Sequence, residues 1–148
     1  MLHHPAYVTL ATIAALAIPL LARAADGKSD AKGEQHEKPA APNGFKNVKP
    51  DEFEKLSKQP DAVVLDVRTP EEYAAGHIPH SVNIDYKSAD FDKKVASLDK
   101  NKTYLVHCAG GGRSSAACKK LSNIDFPHLF NLDGGIRAWE KAGKPVEK

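Results

Sequence analysis

The chain has 148 residues, of which 41% are hydrophobic and 27% charged, and its formal net charge is +2 at pH 7. This length suits one ordinary globular domain. The nearly neutral charge excludes the broad electropositive surface that nucleic acid or an anionic membrane attracts. We therefore expect neither of these as a partner.

The N-terminal segment predicts export from the cytoplasm. An apolar stretch runs from Val8 to Leu21 and ends at Ala22-Arg23-Ala24, the small-residue pattern of a cleavage site. The stretch is shorter than the ~20 apolar residues that a membrane-spanning helix needs. Residues 1–24 are therefore interpreted as a signal peptide, with an uncleaved membrane anchor as the alternative. Cleavage predicts a periplasmic or secreted protein that has no membrane contact.

Residues 25–43 predict a disordered linker. They hold no large apolar side chain, carry charges of both signs and include two prolines. Such a segment buries too little apolar surface to offset the entropy lost on ordering. The remaining residues, 44–148, predict one compact domain.

Short apolar runs alternate with amphipathic runs along this domain. Pro50 suits the first position of one helix, and Thr69 with Pro70 predicts the cap and first residue of another, which ends at Gly76. Predicted strands cover residues 45–48, 62–67, 81–84, 103–107 and 129–132, and predicted helices cover 49–56, 69–76, 91–98, 114–121 and 135–141. This alternation predicts an α/β fold with a central parallel sheet of about five strands and helices on both faces.

The stretch from His107 to Ser115 carries the most specific chemical signal. Cys108 stands at the end of an apolar strand, and a glycine-rich loop leads from it into a helix. This arrangement turns backbone N–H groups toward an anion, and those groups together with Arg113 should lower the pKa of the Cys108 thiol. Three successive glycines argue against an inert core cysteine, so Cys108 is the predicted nucleophile. The predicted substrate-binding residues are Ala109, Gly110, Gly111, Gly112, Arg113 and Ser114.

The length of this loop narrows the chemistry. Four residues separate Cys108 from Arg113, whereas cysteine phosphatases have five residues between the corresponding pair. A shorter loop makes a smaller pocket, which suits one sulfur atom better than a phosphate group. A cysteine phosphatase or arsenate reductase stays open as an alternative.

Three motifs in order resemble those of the rhodanese-like sulfurtransferases. They are the loop that begins at Cys108, the stretch from Val63 to Tyr73 with Gly76-His77-Ile78-Pro79 after it, and the stretch from Leu132 to Trp139. The resemblance implies a two-step reaction. Cys108 takes a sulfane sulfur from a small anionic donor, namely thiosulfate, a polysulfide or a persulfide, and holds it as a persulfide. A thiol, cyanide or a protein cysteine then accepts the sulfur, with no metal or organic cofactor. A non-enzymatic sulfur carrier or docking module is the second alternative.

The chain departs from the family pattern at two places. Members specialised for thiosulfate tend to carry basic side chains early in the loop, where this chain has Ala109 and Gly110. This difference argues against thiosulfate as the donor. His80-Ser81 stands where the family more often has Gly-Ala, so the turn after Pro79 is expected to differ in detail.

Charged residues after the second predicted strand indicate structural support for the loop. Arg68 and Glu72 are expected to form a partly buried ion pair, while Asp66 accepts hydrogen bonds from its own loop. The resemblance implies the same roles. Ile136 and Trp139 are expected to pack the last helix onto the sheet.

Three other candidates receive structural interpretations. His77 and His80 provide too few ligands for a metal, and His77 is expected to hydrogen-bond the backbone of the turn that follows it. His107 should face away from Cys108, because neighbouring strand residues point to opposite faces. Cys118 is interpreted as a small buried hydrophobe that does not form a disulfide with Cys108.

Overall fold

A computed structural model describes residues 44–148, so the predicted signal peptide (1–24) and linker (25–43) lie outside the described residues. Within 44–148 the strands are β1 (Lys46–Val48), β2 (Ala62–Asp66), β3 (Val82–Asn83), β4 (Thr103–His107) and β5 (Leu129–Leu132). The helices are α1 (Pro50–Ser57), α2 (Pro70–Ala75), α3 (Phe91–Ala96), α4 (Gly112–Ser122) and α5 (Gly135–Lys141). Strands and helices alternate, as the sequence predicts.

The five strands form one parallel sheet in the order β1-β5-β4-β2-β3, which confirms the predicted fold class. Neighbouring side chains of β4 enter separate hydrophobic clusters, because they point to opposite faces of the sheet. Leu105 packs in one cluster with Phe53 of α1 and Trp139 of α5. Val106 packs in the other cluster with buried residues of α3 and α4. Helices therefore cover both faces of the sheet.

Strand β4 occupies the centre of the sheet, and all five of its residues are buried. A strand that is covered on both faces needs a continuous apolar run, which the segment Tyr104-Leu105-Val106 supplies. The register places His107 of β4 beside Asp66 of β2. The carboxyl ends of the two strands therefore lie side by side, where α/β sheets bind their ligands. Cys108 follows β4 directly at this edge.

Helix α2 begins with the predicted cap. The Thr69 Oγ1 accepts a hydrogen bond from the Glu72 N–H at 3.3 Å, and Glu72 Oε2 accepts one from the Thr69 N–H at 3.1 Å. This reciprocal pair is a capping box, and Pro70 takes the first helical position with its fixed φ. The cap therefore holds Glu72 in one position at the start of α2.

Helix α4 begins at Gly112, earlier than the predicted start at Ser114. Its N-cap, Gly111, has a φ of +100°, a left-handed conformation that glycine adopts at low cost. The chain therefore already turns into the helix within the glycine run.

Several other boundaries differ from the prediction by one or two residues. Helix α3 ends at Ala96, and β3 is limited to Val82–Asn83. In the turn after Pro79, His80 has a φ of +62°, in the region where glycine is the usual residue.

Among residues 44–148, no helix combines the length and apolar character that crossing a membrane requires.

Candidate active site

The Cys108 side chain lies at the base of the glycine-rich loop and is 2% exposed. Its Sγ accepts a hydrogen bond from the Gly111 N–H, with 3.1 Å between nitrogen and sulfur. The Ser114 hydroxyl donates a second hydrogen bond to Sγ, with 3.4 Å between oxygen and sulfur. The loop and the first turn of α4 therefore both place donors on this one sulfur atom.

These donors set the ionisation of the thiol. Burial by itself raises the pKa of Cys108, because it disfavours the charged form. The Ser114 hydroxyl and the amides of Ser114, Gly110 and Gly111 oppose this effect and bring the pKa below its ordinary value. The polar groups of the loop therefore stabilise a thiolate at a position that is nearly closed to solvent.

The predicted amide ring around the sulfur is partly formed. Within the range from Ala109 to Ser114, the hydrogen bonds to sulfur come from the Gly111 N–H and the Ser114 hydroxyl, and the amides of Gly110 and Ser114 also help to lower the pKa of Cys108. The Ser114 side chain is fully buried, and its single hydroxyl proton lies within reach of two acceptors, Cys108 Sγ at 3.4 Å and the Gly111 carbonyl oxygen at 3.1 Å. Ser114 therefore joins the start of α4 to the sulfur through its hydroxyl as well as its amide.

Arg113 lies beside the loop but its guanidinium is bound to a carboxylate. Nη1 lies 2.7 Å from Glu72 Oε2, and Nη2 lies 2.8 Å from Glu72 Oε1. Hydrogen bonds from Arg113 lower the pKa of Glu72 to about 2, so that the pair is ionised on both sides at neutral pH. The guanidinium that the sequence analysis assigned to substrate is therefore already paired within the protein.

The predicted Arg68–Glu72 pair is wrong, because each residue has another partner. Arg68 Nη2 lies 2.6 Å from Asp66 Oδ2, and the same nitrogen donates to the Gly76 carbonyl oxygen at 2.7 Å. The Arg68 backbone N–H also donates to Asp66 Oδ1 at 2.9 Å. Asp66 is the last residue of β2, Arg68 follows two residues later, and both side chains are buried. The capping box at the start of α2 holds Glu72 where it faces Arg113.

His107 lies on the other face of the sheet from the sulfur, as the alternation of strand side chains requires. Its ring is fully buried, meets the Phe53 ring edge to face with 6.3 Å between centroids, and has Nε2 3.6 Å from Asp66 Oδ2. Burial is the main cause that lowers the pKa of His107 to about 4. The imidazole is therefore neutral at pH 7 and belongs to the support of the site.

The other sequence candidates have structural positions. Cys118 is a free thiol, is fully buried in the core on α4, and has a raised pKa because of burial. His77 contacts the Tyr73 carbonyl oxygen through Nδ1 at 3.1 Å, so its backbone partner is in α2 and not in the following turn. Residues 44–148 contain no group of three or more His, Cys, Asp or Glu side chains suited to a metal ion.

The contact between α5 and the backbone of the loop was not predicted from the sequence. The Ile136 N–H donates to the Cys108 carbonyl oxygen at 2.8 Å, and the Arg137 N–H donates to the Ala109 carbonyl oxygen at 3.3 Å. The start of α5 therefore contacts the backbone of the loop directly. The glycine pair Gly134-Gly135 was the available signal, since two adjacent glycines at a helix start indicate a close approach of backbones.

The fold and the loop together define an α/β protein with one cysteine in an anion-stabilising loop at the carboxyl edge of a parallel sheet. The family described as "Rhodanese-like domain" matches residues 49–142. The chain belongs to this family, which confirms the resemblance found in the sequence.

Named relatives agree with this assignment. The thiosulfate sulfurtransferase GlpE of Pseudomonas putida is 36% identical over 104 residues, which cover 70% of this chain and 91% of GlpE. YtwF of Bacillus subtilis is 39% identical over 92 residues, covering 62% of this chain and 86% of YtwF. The crystal structure of a rhodanese-related protein from Thermoplasma volcanium matches with a TM-score of 0.62 and 33% identity, over 70% of this chain and 98% of that one.

Proposed function

We propose that this protein is a rhodanese-type sulfurtransferase that carries sulfur on Cys108. The observation that carries the proposal is the set of hydrogen bonds from Gly111 and Ser114 to a buried Sγ at the end of the central strand. These groups lower the pKa of Cys108 and so increase the fraction of thiolate, which is the nucleophilic form. The membership of the family and the sulfurtransferase name of GlpE support the same reaction class.

The reaction divides into two displacements. The Cys108 thiolate attacks the outer sulfur of a donor R–S–S⁻, the S–S bond of the donor breaks, and R–S⁻ leaves with the electron pair. The product is a Cys108 persulfide, whose terminal sulfur bears the negative charge. An acceptor thiolate then attacks that terminal sulfur, and Cys108 leaves as a thiolate. Each step exchanges one S–S bond for another, so no external oxidant or reductant is needed.

The loop donors suit this two-step reaction because they can stabilise both of its anions, the Cys108 thiolate and the Cys108 persulfide. Gly111 and Ser114 already contact the Cys108 sulfur before any donor is bound and favour its thiolate form. Preorganised N–H and O–H donors in a site with little water also stabilise the persulfide anion that replaces it. The loop has no unpaired guanidinium for a phosphate group, because Arg113 is held by Glu72. This pairing favours sulfur transfer over phosphatase or arsenate chemistry.

The proposal is tested by mass spectrometry of the wild-type protein after incubation with thiosulfate, polysulfide or glutathione persulfide. We expect the mass to increase by one sulfur atom, and fragmentation to locate this atom on the peptide that contains Cys108 and not at Cys118. Addition of a thiol acceptor should remove it. Alkylation of Cys108 before the donor is added provides the control. A protein that gains no sulfur from any of the three donors contradicts the proposal.

We further propose that organic persulfides are better donors than thiosulfate. Thiosulfate brings two negative charges, and its sulfonate group needs a cation next to the sulfur pocket. The ionised Glu72 neutralises Arg113, and the first two loop residues after the cysteine, Ala109 and Gly110, are uncharged. A donor with one charge on its sulfane sulfur needs only the hydrogen bonds that the loop already provides.

Replacing Glu72 by glutamine is expected to shift the donor preference toward thiosulfate. Glutamine keeps an oxygen that accepts from the Thr69 N–H, so the cap of α2 is retained, but Arg113 is no longer neutralised. We expect the ratio of kcat/KM for thiosulfate to kcat/KM for glutathione persulfide to rise about tenfold, the effect of about 1.4 kcal/mol in the transition state. The measurement is steady-state kinetics with both donors.

Glu71→Gln is the matched control for this substitution. Glu71 is exposed in the same helical turn and removing its charge leaves the Arg113 pair intact. Its donor ratio should equal that of the wild type. A wild-type protein that already prefers thiosulfate, or a Glu72→Gln variant with an unchanged ratio, contradicts the proposed donor preference.

A further inference from the structure

The segment from Asp133 to Trp139 takes no part in the proposed chemistry through its side chains, yet its backbone contacts the active-site loop. The two hydrogen bonds from Ile136 and Arg137 of α5 reach the carbonyl oxygens of Cys108 and Ala109. These two carbonyls belong to the first two peptide groups after the candidate nucleophile. Helix α5 therefore binds the beginning of the loop at its backbone.

Gly135 makes this close contact sterically feasible. It has a φ of +60°, and a Cβ on this residue would lie 2.4 Å from the Cys108 carbonyl oxygen and 2.7 Å from both the carbonyl carbon and oxygen of Ala109. These atoms are backbone atoms of the loop, so they cannot move aside as a flexible side chain does. Any side chain at position 135 must therefore push α5 and the loop apart.

The contact also determines where the loop amides point. In a trans peptide group the C=O and the N–H point in opposite directions. The Ala109 carbonyl faces α5, so the N–H of the same peptide group, which belongs to Gly110, faces away from α5. The Gly110 amide contributes to the lowered pKa of Cys108, and the next amide of the loop, that of Gly111, donates to the sulfur at 3.1 Å. The hydrogen bond from Arg137 therefore fixes the orientation of the rigid peptide group whose other end is the Gly110 amide.

We propose that Gly135 is a positioning residue of the active site. Its missing side chain lets α5 hold the Cys108 and Ala109 carbonyls, and this contact aims the Gly110 amide at the sulfur. Gly135 touches neither sulfur nor substrate and acts through the peptide group between Ala109 and Gly110. The inference concerns the state of the Cys108 thiol and holds whichever sulfur donor or acceptor the protein uses.

The test is the pKa of Cys108 in a Gly135→Ala variant, measured from the pH dependence of alkylation by iodoacetamide. Cys118 does not interfere, because it is fully buried and its pKa is raised. Misdirection of one amide donor to a charged sulfur should raise the pKa of Cys108 by about one unit. The alkylation rate at a pH below both values should fall about tenfold.

Gly143→Ala is the matched control. Gly143 also has a positive φ, +71°, but a Cβ there has no atom within 4 Å. Alanine therefore meets the same unfavourable backbone conformation at both positions, while only position 135 adds a collision with the loop. We expect Gly143→Ala to keep the wild-type pKa of Cys108. A folded Gly135→Ala variant with an unchanged pKa, or an equal shift in both variants, overturns the proposal.

A second measurement on the wild-type protein decides the question if Gly135→Ala does not fold. The ¹⁵N–¹H signal of the Gly110 amide should titrate with the ionisation of Cys108, and the Ile136 and Arg137 amides should exchange slowly with solvent. A Gly110 signal that does not respond while the Gly111 signal does would exclude the proposed orientation. None of these readouts requires sulfur transfer, so they remain informative if the proposed function fails.

Discussion

A Cys108→Ser variant is expected to lose sulfur transfer by at least about a thousandfold in kcat/KM, because no other group can take over as nucleophile. Serine keeps nearly the same shape, and its hydroxyl can still accept the hydrogen bonds from Gly111 and Ser114. A hydroxyl is not ionised at neutral pH, and it cannot form the S–S bond on which both displacements depend. Steady-state kinetics with glutathione persulfide and a thiol acceptor measure the loss.

Cys118→Ala is the control for this substitution. Cys118 is a free, fully buried thiol in the core, so its removal should leave the kinetics at the wild-type level and cost only a small amount of stability. Thermal melts monitored by circular dichroism should show that both variants are folded. Substantial turnover by Cys108→Ser, or its loss in Cys118→Ala, would assign the chemistry to another thiol.

The folded protein is expected to lose about 3 kcal/mol of stability as the pH falls from 6.5 to about 4, because of His107. Burial, the largest cause, lowers the pKa of His107 from 6.5 to about 4, with Asp66 raising it in part and Arg68 and His77 lowering it further. In this interval the unfolded chain binds a proton at His107 that the folded chain does not bind. Each pH unit therefore shifts the equilibrium toward unfolding by about 1.4 kcal/mol.

Urea denaturation between pH 7 and pH 4 measures this loss, and His107→Gln serves as the comparison. Glutamine is uncharged over the whole interval, so the variant should show a much flatter stability profile. The stabilising contribution of Glu72 is lost as the pH falls below its ordinary value of 4.5, toward a folded pKa of about 2, and because Glu72 is present in both proteins this loss cancels in the comparison. Equal slopes for wild type and variant would show that His107 is not the titrating group.

Local sequence was sufficient for the elements that position the cysteine. The apolar run before Cys108 and the glycines after it predict a buried strand followed by a tight turn, and these determine where the sulfur lies. Thr69 and Pro70 likewise predict the start of α2, because a helix cap depends on residues within one turn. Such features depend on backbone preferences and nearest neighbours, so they can be derived without knowledge of the rest of the chain.

Ion-pair partners required the tertiary structure. Arg68 has carboxylates on both sides in sequence, Asp66 and Glu72, and spacing alone does not decide between them. In the folded protein Asp66 forms an ion pair with Arg68, while the capping box holds Glu72 where it forms an ion pair with Arg113. The pairing of Arg113 with Glu72 is a tertiary contact that the sequence analysis did not predict.

The sequence by itself determined the α/β class, the family and the position of the candidate nucleophile, since these follow from short-range patterns of apolar residues, glycines and caps. The tertiary structure alone decided which groups surround that cysteine. The approach of Gly135 to the Cys108 carbonyl joins segments that are distant along the chain, and it depends on how α5 packs against the sheet. Contacts of this kind are set by the packing of whole elements, which no local pattern encodes.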